Sequence, residues 1–237
     1  MAGLRAMILA AGRGVRMRPL TDRTPKPLLE VGGTPLIVWH IEKLVRAGIG
    51  EIVINHAHLG KQIEETLGDG SRFGAHIRYS PEAHALETAG GIAYALPLLG
   101  EEPFAAINGD IYCDYDFSGL LKHAAALQTG PDIARLVLVN NPPQHPDGDF
   151  HLANTRVLPS GDQKLTFSGI GIYRPALFAG IPRGSIAPLA PLLREQIALG
   201  RVGGEHYRGV WVDVGTPQRL DELDTWVRSL HNRPRII

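Results

Sequence analysis

A loop close to the N-terminus combines glycines with a high density of cations. It reads LAAGRGVRMRPLTDRTPKPLL and spans residues 9–29. Gly12 and Gly14 permit tight turns in which backbone N–H groups approach an anion closely. Interspersed prolines stiffen the segment, which lowers the cost of ordering it on binding. The charged side chains that a polyphosphate would need all lie in this loop: Arg13, Arg16, Arg18, Arg23 and Lys26.

The loop matches neither of two widespread phosphate-binding motifs. It is not G-x-x-x-x-G-K-[ST], and Met17 stands where G-x-G-x-x-G requires a third glycine. From the residue types alone, a solvated loop whose glycines merely turn the chain stays open as the alternative.

Two aspartates follow short apolar stretches in distant parts of the chain. Asp110 comes just after AAIN, and Asp213 closes VWVD. Carboxylates delivered by two strand ends can jointly hold a hard cation such as Mg²⁺. Taken singly, each could instead cap a helix or close an Asx turn. Asp114 and Asp116 are the competing carboxylates, and we expect them in a turn and at a helix start before Phe117.

Nothing in the sequence indicates covalent or zinc-dependent catalysis. The patterns G-x-S-x-G and H-E-x-x-H are absent, so we interpret His56, His58 and His206 as polar or packing residues. Lys plus Arg number 24 and Asp plus Glu number 24, which argues against nucleic-acid and membrane partners. Cys113 is the single cysteine and the N-terminus lacks the features of a signal peptide, so we expect a cytoplasmic protein.

Apolar strand patterns alternate with helical patterns in the first half of the chain, which predicts βαβ units. Strands are expected at 5–12, 51–56, 76–80 and 103–110, and helices at 36–47, 61–67 and 90–99. The irregular second half has expected strands at 136–142, 148–152, 165–173 and 209–216, and helices after Pro191 and at 217–230. We therefore predict an α/β fold: a Rossmann-like, mostly parallel sheet with helices on both faces and a small antiparallel substrate-binding addition. In such sheets, ligands bind beyond the C-terminal ends of the strands.

The loop and the strand ends together carry a family resemblance. The pattern L-A-A-G-x-G-x-R-M-x-P-L-T, followed by P-K-P-L, resembles the signature of the sugar-1-phosphate nucleotidyltransferases. NGD and WVDVGT resemble that family's two magnesium-binding sites. Membership implies transfer of a nucleoside monophosphate to a sugar 1-phosphate, with release of pyrophosphate. Because the sequence contains no internal repeat or obvious linker, we predict a single domain over 1–237, with a nucleotide-binding half at about 1–130 and a sugar-binding, second metal-ligand half at about 131–237.

Roles in phosphate binding follow from this resemblance. Arg16 would neutralise the departing pyrophosphate, and Lys26 would contact the phosphates where the two substrates meet. The nucleotide phosphates would be held by loop residues: Gly12, Gly14, Val15, Arg16 and Lys26.

The resemblance also implies a cofactor and an acceptor site. Mg²⁺ would be bound by Asp110 and Asp213, and Asp110 would join Arg16 and Lys26 as a catalytic residue. Asn108 would face the sugar substrate. Because a sugar 1-phosphate oxygen is already ionised at neutral pH, the reaction needs positioned cations rather than a general base.

The segment YSPEAHALETAGG, residues 79–91, resembles the part of the family that meets the nucleobase. Gly90 belongs to a predicted helix start, where backbone amides suit close ligand approach. Glu82 stands near the position of a Gln in many uridylyl- and thymidylyltransferases. A carboxylate there could accept from uracil N3–H or from guanine N1–H and N2–H, so the base stays open. Glu82 could equally be an exposed loop carboxylate.

Further stretches resemble one branch of the family, the bacterial uridylyltransferases that act on N-acetylmuramic acid 1-phosphate in peptidoglycan recycling. They include EIVINHAHLG, LGDGSRFG, LTFSGI and GEHYRG. This branch implies UTP and a sugar 1-phosphate as substrates and UDP-N-acetylmuramic acid as product. Asp149, Ser168 and Gly169 would contact the sugar; a hairpin-turn aspartate and a plain strand bend are the structural alternatives.

Two other functions stay open. A GTP-dependent mannose-1-phosphate guanylyltransferase is compatible with Glu82. A catalytically silent nucleotide-binding regulatory subunit is the alternative from another class, but such proteins often lose the acidic pair that Asp110 and Asp213 represent here. We expect a monomer or a small homo-oligomer.

Overall fold

The computed structural model describes residues 3–231. These residues form six α-helices: α1 Leu36–Arg46, α2 Gly60–Leu67, α3 Glu87–Leu99, α4 Gly119–Thr129, α5 Leu189–Ala198 and α6 Pro217–His231. They also form thirteen strands: β1 Arg5–Leu9, β2 Glu30–Val31, β3 Thr34–Pro35, β4 Glu51–His56, β5 His76–Pro81, β6 Phe104–Asn108, β7 Ile111–Cys113, β8 Ala134–Val139, β9 Phe150–Ala153, β10 Arg156–Leu158, β11 Lys164–Tyr173, β12 Val202–Tyr207 and β13 Trp211–Asp213. None of the described helices combines the length and the hydropathy needed to cross a bilayer.

Nine strands form one mixed sheet in the order β5-β4-β1-β6-β11-β8-β12-β10-β9. The first four pair in parallel, as the alternating sequence pattern predicts. β11 pairs antiparallel with β6 and β8, and β10 pairs antiparallel with β12 and β9. Within this sheet, β10 and β11 are therefore antiparallel to the other seven strands. The predicted α/β fold, mostly parallel with an antiparallel addition, is confirmed.

Alternate residues of β1 face opposite sides of the sheet, and helices cover both sides. Ala6 and Ile8 belong to one buried cluster, with apolar residues of α1, α2 and α4. Met7 belongs to a second cluster, with apolar residues of α3 and α5. A parallel strand that is buried on both faces reads as a continuous apolar run. This explains the sequence RAMIL and confirms the two helical layers.

A third buried cluster joins the cation-rich loop to the last helix. Met17 and Val214 pack there with residues on the inner face of α6: Leu220, Leu223 and Val227. Beside this cluster, β7 and β13 form a two-stranded antiparallel sheet in which Asp213 lies opposite Ile111. The end of the described chain is therefore folded against its beginning.

Several elements differ from the expectations. α3 begins at Glu87, three residues before the predicted start at Gly90. The expected helix start at Asp116 lies just before α4, which begins at Gly119, whereas the sequence pattern predicts no strand at β2, β3, β7, β10 or β12. β12 contains consecutive glycines, which disfavour a strand locally, but a Cβ at Gly204 would lie 2.8 Å from Cγ2 of Val157 in β10. β10 can therefore approach β12 closely because Gly204 has no side chain.

Candidate active site

The C-terminal ends of three neighbouring strands form the floor of the site. Leu9 of β1 is in register with Asn55 of β4 and with Asn108 of β6. These strand ends line a cavity of about 280 Å³, the first cavity, together with residues of the cation-rich loop and of the α3 start. This is the edge of the sheet at which the fold places ligands.

The cation-rich loop is shaped by a left-handed glycine and a buried threonine. Gly14 has φ of +64°, and a Cβ there would lie 2.9 Å from Cγ2 of Thr21. The Thr21 hydroxyl donates to the Gly14 carbonyl oxygen at 2.8 Å, and Met17 anchors the loop in the third cluster. The close approach of Thr21 and the positive φ both require glycine at position 14.

The loop presents its arginines to solvent and its lysine to the cavity. Arg13, Arg16 and the other loop arginines are exposed, whereas Lys26 is buried. Gly12 and Lys26 line the first cavity; Gly14, Val15 and Arg16 lie in the loop beside it. A Cβ at Gly12 would meet no atom within 4 Å. Intramolecular crowding therefore does not explain this glycine, and its predicted phosphate contact stays a prediction.

Asp110 stands in the turn after β6 and is paired with a cation. Its Oδ2 lies 2.6 Å from Nζ of Lys26, with side-chain exposures of 38% and 8% for Asp110 and Lys26 respectively. Gly109 donates its N–H to the Leu9 carbonyl oxygen at 2.9 Å, which fixes the turn against β1. Lys26 and Asp110, each predicted as a catalytic residue, therefore lie together at the cavity.

The second predicted carboxylate is brought to the same region by the β7–β13 pairing. The Val214 N–H donates to the Asp110 carbonyl oxygen at 3.1 Å, so residue 213 neighbours the Asp110 turn. Oδ2 of Asp213 lies 2.6 Å from Nη1 of Arg219, which also donates to the Asp213 carbonyl oxygen at 2.9 Å. Each carboxylate thus holds one cationic side chain.

Carboxylate oxygens are suitable ligands for a hard cation whose remaining ligands come from the substrate and water. Across residues 3–231, no three His, Cys, Asp or Glu side chains cluster closely enough to hold a metal by themselves. Mg²⁺ is commonly bound by one or two carboxylates plus substrate phosphates and water. Asp110 and Asp213 supply carboxylates of that kind, but Asp110 lines the first cavity whereas Asp213 lines a different one, with Arg219, so their joint binding of Mg²⁺ stays a prediction.

Burial fixes the protonation of a histidine behind this turn. His40 is fully buried, and Nε2 lies 2.8 Å from the Ile111 carbonyl oxygen. Loss of hydration on burial lowers the pKa of His40 to about 4. The neutral ring therefore donates Nε2–H to the residue that follows Asp110.

Glu82 is part of a buried hydrogen-bond network. Its Oε1 accepts from Asn55 Nδ2 at 2.7 Å, and its Oε2 accepts from the Leu86 N–H at 2.9 Å. Oδ1 of Asn55 in turn accepts from the Ala10 N–H at 2.9 Å. Glu82 is only 7% exposed, so the alternative prediction, that Glu82 is an exposed loop carboxylate, is wrong. Since both carboxylate oxygens already have partners, contact with a nucleobase stays a prediction that this geometry does not favour.

Gly90 has a structural reason for being glycine. Its N–H donates to the Ala187 carbonyl oxygen at 3.0 Å, and a Cβ would lie 2.4 Å from the Ser185 carbonyl oxygen. The close approach of the loop before α5 requires glycine here. Gly90 does not contribute to the lining of the first cavity, so its predicted nucleotide contact stays a prediction that this geometry does not favour.

A second cavity of about 280 Å³ adjoins the first. Three of the lining residues, Glu87, Thr88 and Asn108, are common to both cavities. Asp149 lines the second cavity, where its Oδ2 accepts from the Phe167 N–H at 2.8 Å and its Oδ1 lies 3.1 Å from Nε2 of His145. The predicted sugar residues Asn108 and Asp149 therefore share one cavity.

Ser168 and Gly169 form an irregularity in β11 behind this cavity. The Ser168 hydroxyl is buried, donates to the Val137 carbonyl oxygen at 2.7 Å and lies 3.1 Å from the Ile170 N–H. Gly169 has φ of +81°, and a Cβ would lie 2.6 Å from Nδ2 of Asn108. The Ser168 side chain therefore faces the protein interior, contrary to the predicted sugar contact, and Gly169 makes room for Asn108.

The polar residues of the site that were not among the predicted ones include Asn55, Glu87, Thr88 and Arg219. A polar residue near the end of the apolar strand EIVINH could have indicated Asn55, because strand ends meet at the ligand edge. Arg219 is identified by its contact with Asp213 and Glu87 by its place at both cavities, and the local sequence encodes neither.

The chain matches known proteins along most of its length. The family model for nucleotidyl transferases matches residues 5–150. An N-acetylmuramate alpha-1-phosphate uridylyltransferase from Neisseria meningitidis serogroup B is 57% identical over 223 residues, which cover 92% of this chain and 96% of that protein. A protein of the same name from Caulobacter vibrioides is 35% identical, covering 90% of this chain and 92% of that protein.

The fold is also found among solved structures. A Bacillus anthracis protein crystallised with sucrose superimposes with a TM-score of 0.83 at 22% identity, over 95% of this chain and 96% of that one. The match to the family model, the two relatives and the arrangement of the loop and strand ends lead to one assignment. The chain belongs to the nucleotidyl transferase family.

Proposed function

We propose that the protein transfers UMP from UTP to N-acetylmuramic acid 1-phosphate, giving UDP-N-acetylmuramic acid and pyrophosphate. The observation that carries this proposal is the 57% identity to a uridylyltransferase of that name, over 96% of its length. A UTP-consuming step of this kind belongs in the cytoplasm, where it would return a cell-wall sugar to peptidoglycan synthesis.

The chemistry requires two polyanions to meet. An ionised phosphate oxygen of the sugar 1-phosphate attacks the α-phosphorus of UTP and forms a new P–O bond. The bond from that phosphorus to the oxygen bridging to the β-phosphate breaks, and its electron pair leaves with pyrophosphate. No proton needs to be removed from the nucleophile, which agrees with a site built from cations rather than from a general base.

Lys26 is the best-placed cation for this step. It lines the first cavity and its ammonium group is held by Asp110 at 2.6 Å. A fixed charge in a largely buried position stabilises developing negative charge more than a mobile surface cation does. The exposed Arg16 lies in the same loop and would neutralise the departing pyrophosphate.

Asp110 and Asp213 would hold Mg²⁺ together with substrate phosphate oxygens. When bound, the ion supplies charge neutralisation between the two substrates. Asp110 also orients Lys26, and Arg219 orients the Asp213 carboxylate.

The adjoining cavities suit the two substrates. The first cavity, at the cation-rich loop, would take the nucleotide. The second cavity, with Asn108 and Asp149, would take the acceptor sugar. Glu87, Thr88 and Asn108 line both cavities and would therefore lie between the two substrates.

A pyrophosphate-release panel tests the proposal. Purified protein with Mg²⁺ is assayed with UTP, GTP, CTP and dTTP against N-acetylmuramic acid, N-acetylglucosamine, glucose and mannose 1-phosphates. We expect the highest kcat/KM for UTP with N-acetylmuramic acid 1-phosphate. Preference for GTP with mannose 1-phosphate would favour the guanylyltransferase. UTP binding by calorimetry without turnover on any sugar would favour the silent regulatory subunit.

A further inference from the structure

Glu87 is the first residue of α3 and has an unfavourable backbone conformation. Its φ is +58°, in the left-handed region that residues with a Cβ seldom occupy. Glutamate lacks the short polar side chain with which Asn or Asp can offset this cost. A residue kept in such a conformation at a site points to a function for its side chain.

The position of Glu87 indicates where that function lies. Its side chain is exposed, and it lines the first and the second cavity at their junction, with Thr88 and Asn108. Among residues 3–231, no hydrogen bond or ion pair engages the Glu87 carboxylate, whereas both oxygens of Glu82 are occupied. Of these two carboxylates, only Glu87 has acceptor capacity free at the junction of the cavities.

The chemistry of a carboxylate limits its ligand. An ionised carboxylate only accepts hydrogen bonds, and it repels phosphate groups. The neutral donors that the two substrates bring are mainly the hydroxyl groups of their sugar rings; the uracil N3–H and the acetamido N–H of the acceptor are the others. We infer that Glu87 is a specificity residue that accepts hydrogen bonds from sugar-ring hydroxyls, either of the nucleotide ribose or of the acceptor sugar. This inference rests on the proposed function.

The variants separate backbone strain from hydrogen bonding. Glu87→Gly removes the carboxylate and relieves the strained φ, and Glu87→Gln keeps the shape and the strain but weakens the acceptor. Asn154→Gly is the matched control for strain, because Asn154 is exposed with φ of +54° in the turn between β9 and β10. Glu65→Gln on the exposed side of α2 is the control for charge.

The expected result is a loss of affinity without a loss of stability. For Glu87→Gly, we expect KM for one substrate to rise about 10-fold or more, since hydrogen bonds to charged groups are the stronger ones. Its Tm should be unchanged or about 2 °C higher, and Glu87→Gln should show a smaller rise in KM. Neither control should change KM. A merely structural Glu87 would instead lower Tm in the variants and leave the ratio of the two KM values unchanged.

Substrate analogues distinguish the two sources of hydroxyl groups. If the ribose is the partner, 2′-deoxy-UTP or 3′-deoxy-UTP should weaken wild-type binding but add nothing to the effect of Glu87→Gly. If the acceptor is the partner, only the KM for the sugar phosphate should rise. Unchanged KM values for both substrates in Glu87→Gly would overturn the inference.

Direct binding keeps the inference separate from the proposed function. Calorimetric titrations of UTP and of N-acetylmuramic acid 1-phosphate are made on wild type and Glu87→Gly. Absence of wild-type turnover would contradict the proposed function alone. Equal dissociation constants of wild type and variant for both compounds would contradict the role of Glu87 alone.

Discussion

Nζ of Lys26 lies 2.6 Å from Oδ2 of Asp110, although 84 positions separate the two residues in sequence. The contact joins the cation-rich loop to the turn after β6. It places the charge that substrate phosphates need beside a carboxylate that can share a cation with them. In the proposed function, the pair is therefore the point at which phosphate binding and metal binding would meet.

Removing the Lys26 charge should lower kcat/KM strongly but should change the thermal stability little. For Lys26→Met, we expect kcat/KM to fall about 100- to 1,000-fold, the usual cost of losing a preorganised charge in an active site. Asp110 is left with 38% of its side chain exposed, so water can solvate it and Tm should change little. Pyrophosphate release and thermal melting measure the two effects. Lys61→Met on the exposed side of α2 is the control, and equal losses in both variants would argue against a catalytic Lys26.

Neutralising Asp110 should remove the response to Mg²⁺. In wild type with UTP, we expect Mg²⁺ to raise Tm through ligand linkage and chelation to abolish turnover. Asp110→Asn keeps the side-chain shape but loses the charge, so both responses should be lost while far-UV circular dichroism is unchanged. Asp116→Asn is the matched control, because Asp116 is exposed and bonds locally to Ser118. A full Mg²⁺ response in Asp110→Asn would contradict the metal assignment.

Replacing Glu82 should destabilise the protein through an unpaired donor. Glu82→Gln puts an amide NH₂ opposite either the Asn55 Nδ2 group or the Leu86 N–H, both of which are donors. A buried donor without an acceptor costs about 1–3 kcal/mol. We expect this loss in the free energy of unfolding, measured by urea titration, and none for the exposed Glu195→Gln. A stable Glu82→Gln protein with a raised KM for UTP would instead support the base-reading role.

The buried His40 should make the fold sensitive to mild acid. Its pKa falls from 6.5 to about 4 on folding, so protonation favours the unfolded chain. The stability that the neutral ring contributes is complete above pH 6.5 and is lost as the pH falls from 6.5 toward 4, by a total on the order of 3 kcal/mol.

Urea unfolding between pH 4 and 7 checks this dependence. His40→Gln should start less stable at pH 7 and lose less stability on acidification than wild type. His84→Gln, at an exposed loop position, should follow the wild-type curve. Parallel curves for wild type and His40→Gln would exclude His40 as the source of the acid sensitivity.

The sequence predicts those features that are set by local pattern. The apolar run RAMIL and the repeated strand–helix alternation predict the parallel half of the sheet, because burial on both faces leaves a direct mark on composition. The loop cations and the two aspartates are also local signals, and the fold brings Lys26 and Asp110 together as the strand order requires.

The remaining features depend on partners that are distant in sequence. Glu82 is buried because Asn55, 27 positions away, gives it a hydrogen bond. Gly90 is glycine because the loop at Ser185 passes over it. The Ser168 hydroxyl is buried because β8 offers it a carbonyl group. No pattern within these segments encodes such contacts, so sequence alone could propose ligand contacts for all three but could not test them.

The third buried cluster has a consequence for the order in which the site is made. Met17, which anchors the cation-rich loop, packs with α6, the last helix described. Asp213 is adjacent to Val214 of the same cluster. During synthesis, the cation-rich loop leaves the ribosome about 200 residues before the α6 residues that pack behind it. A nascent chain that still lacks α6 therefore has no complete site, so activity has to wait until α6 has been made.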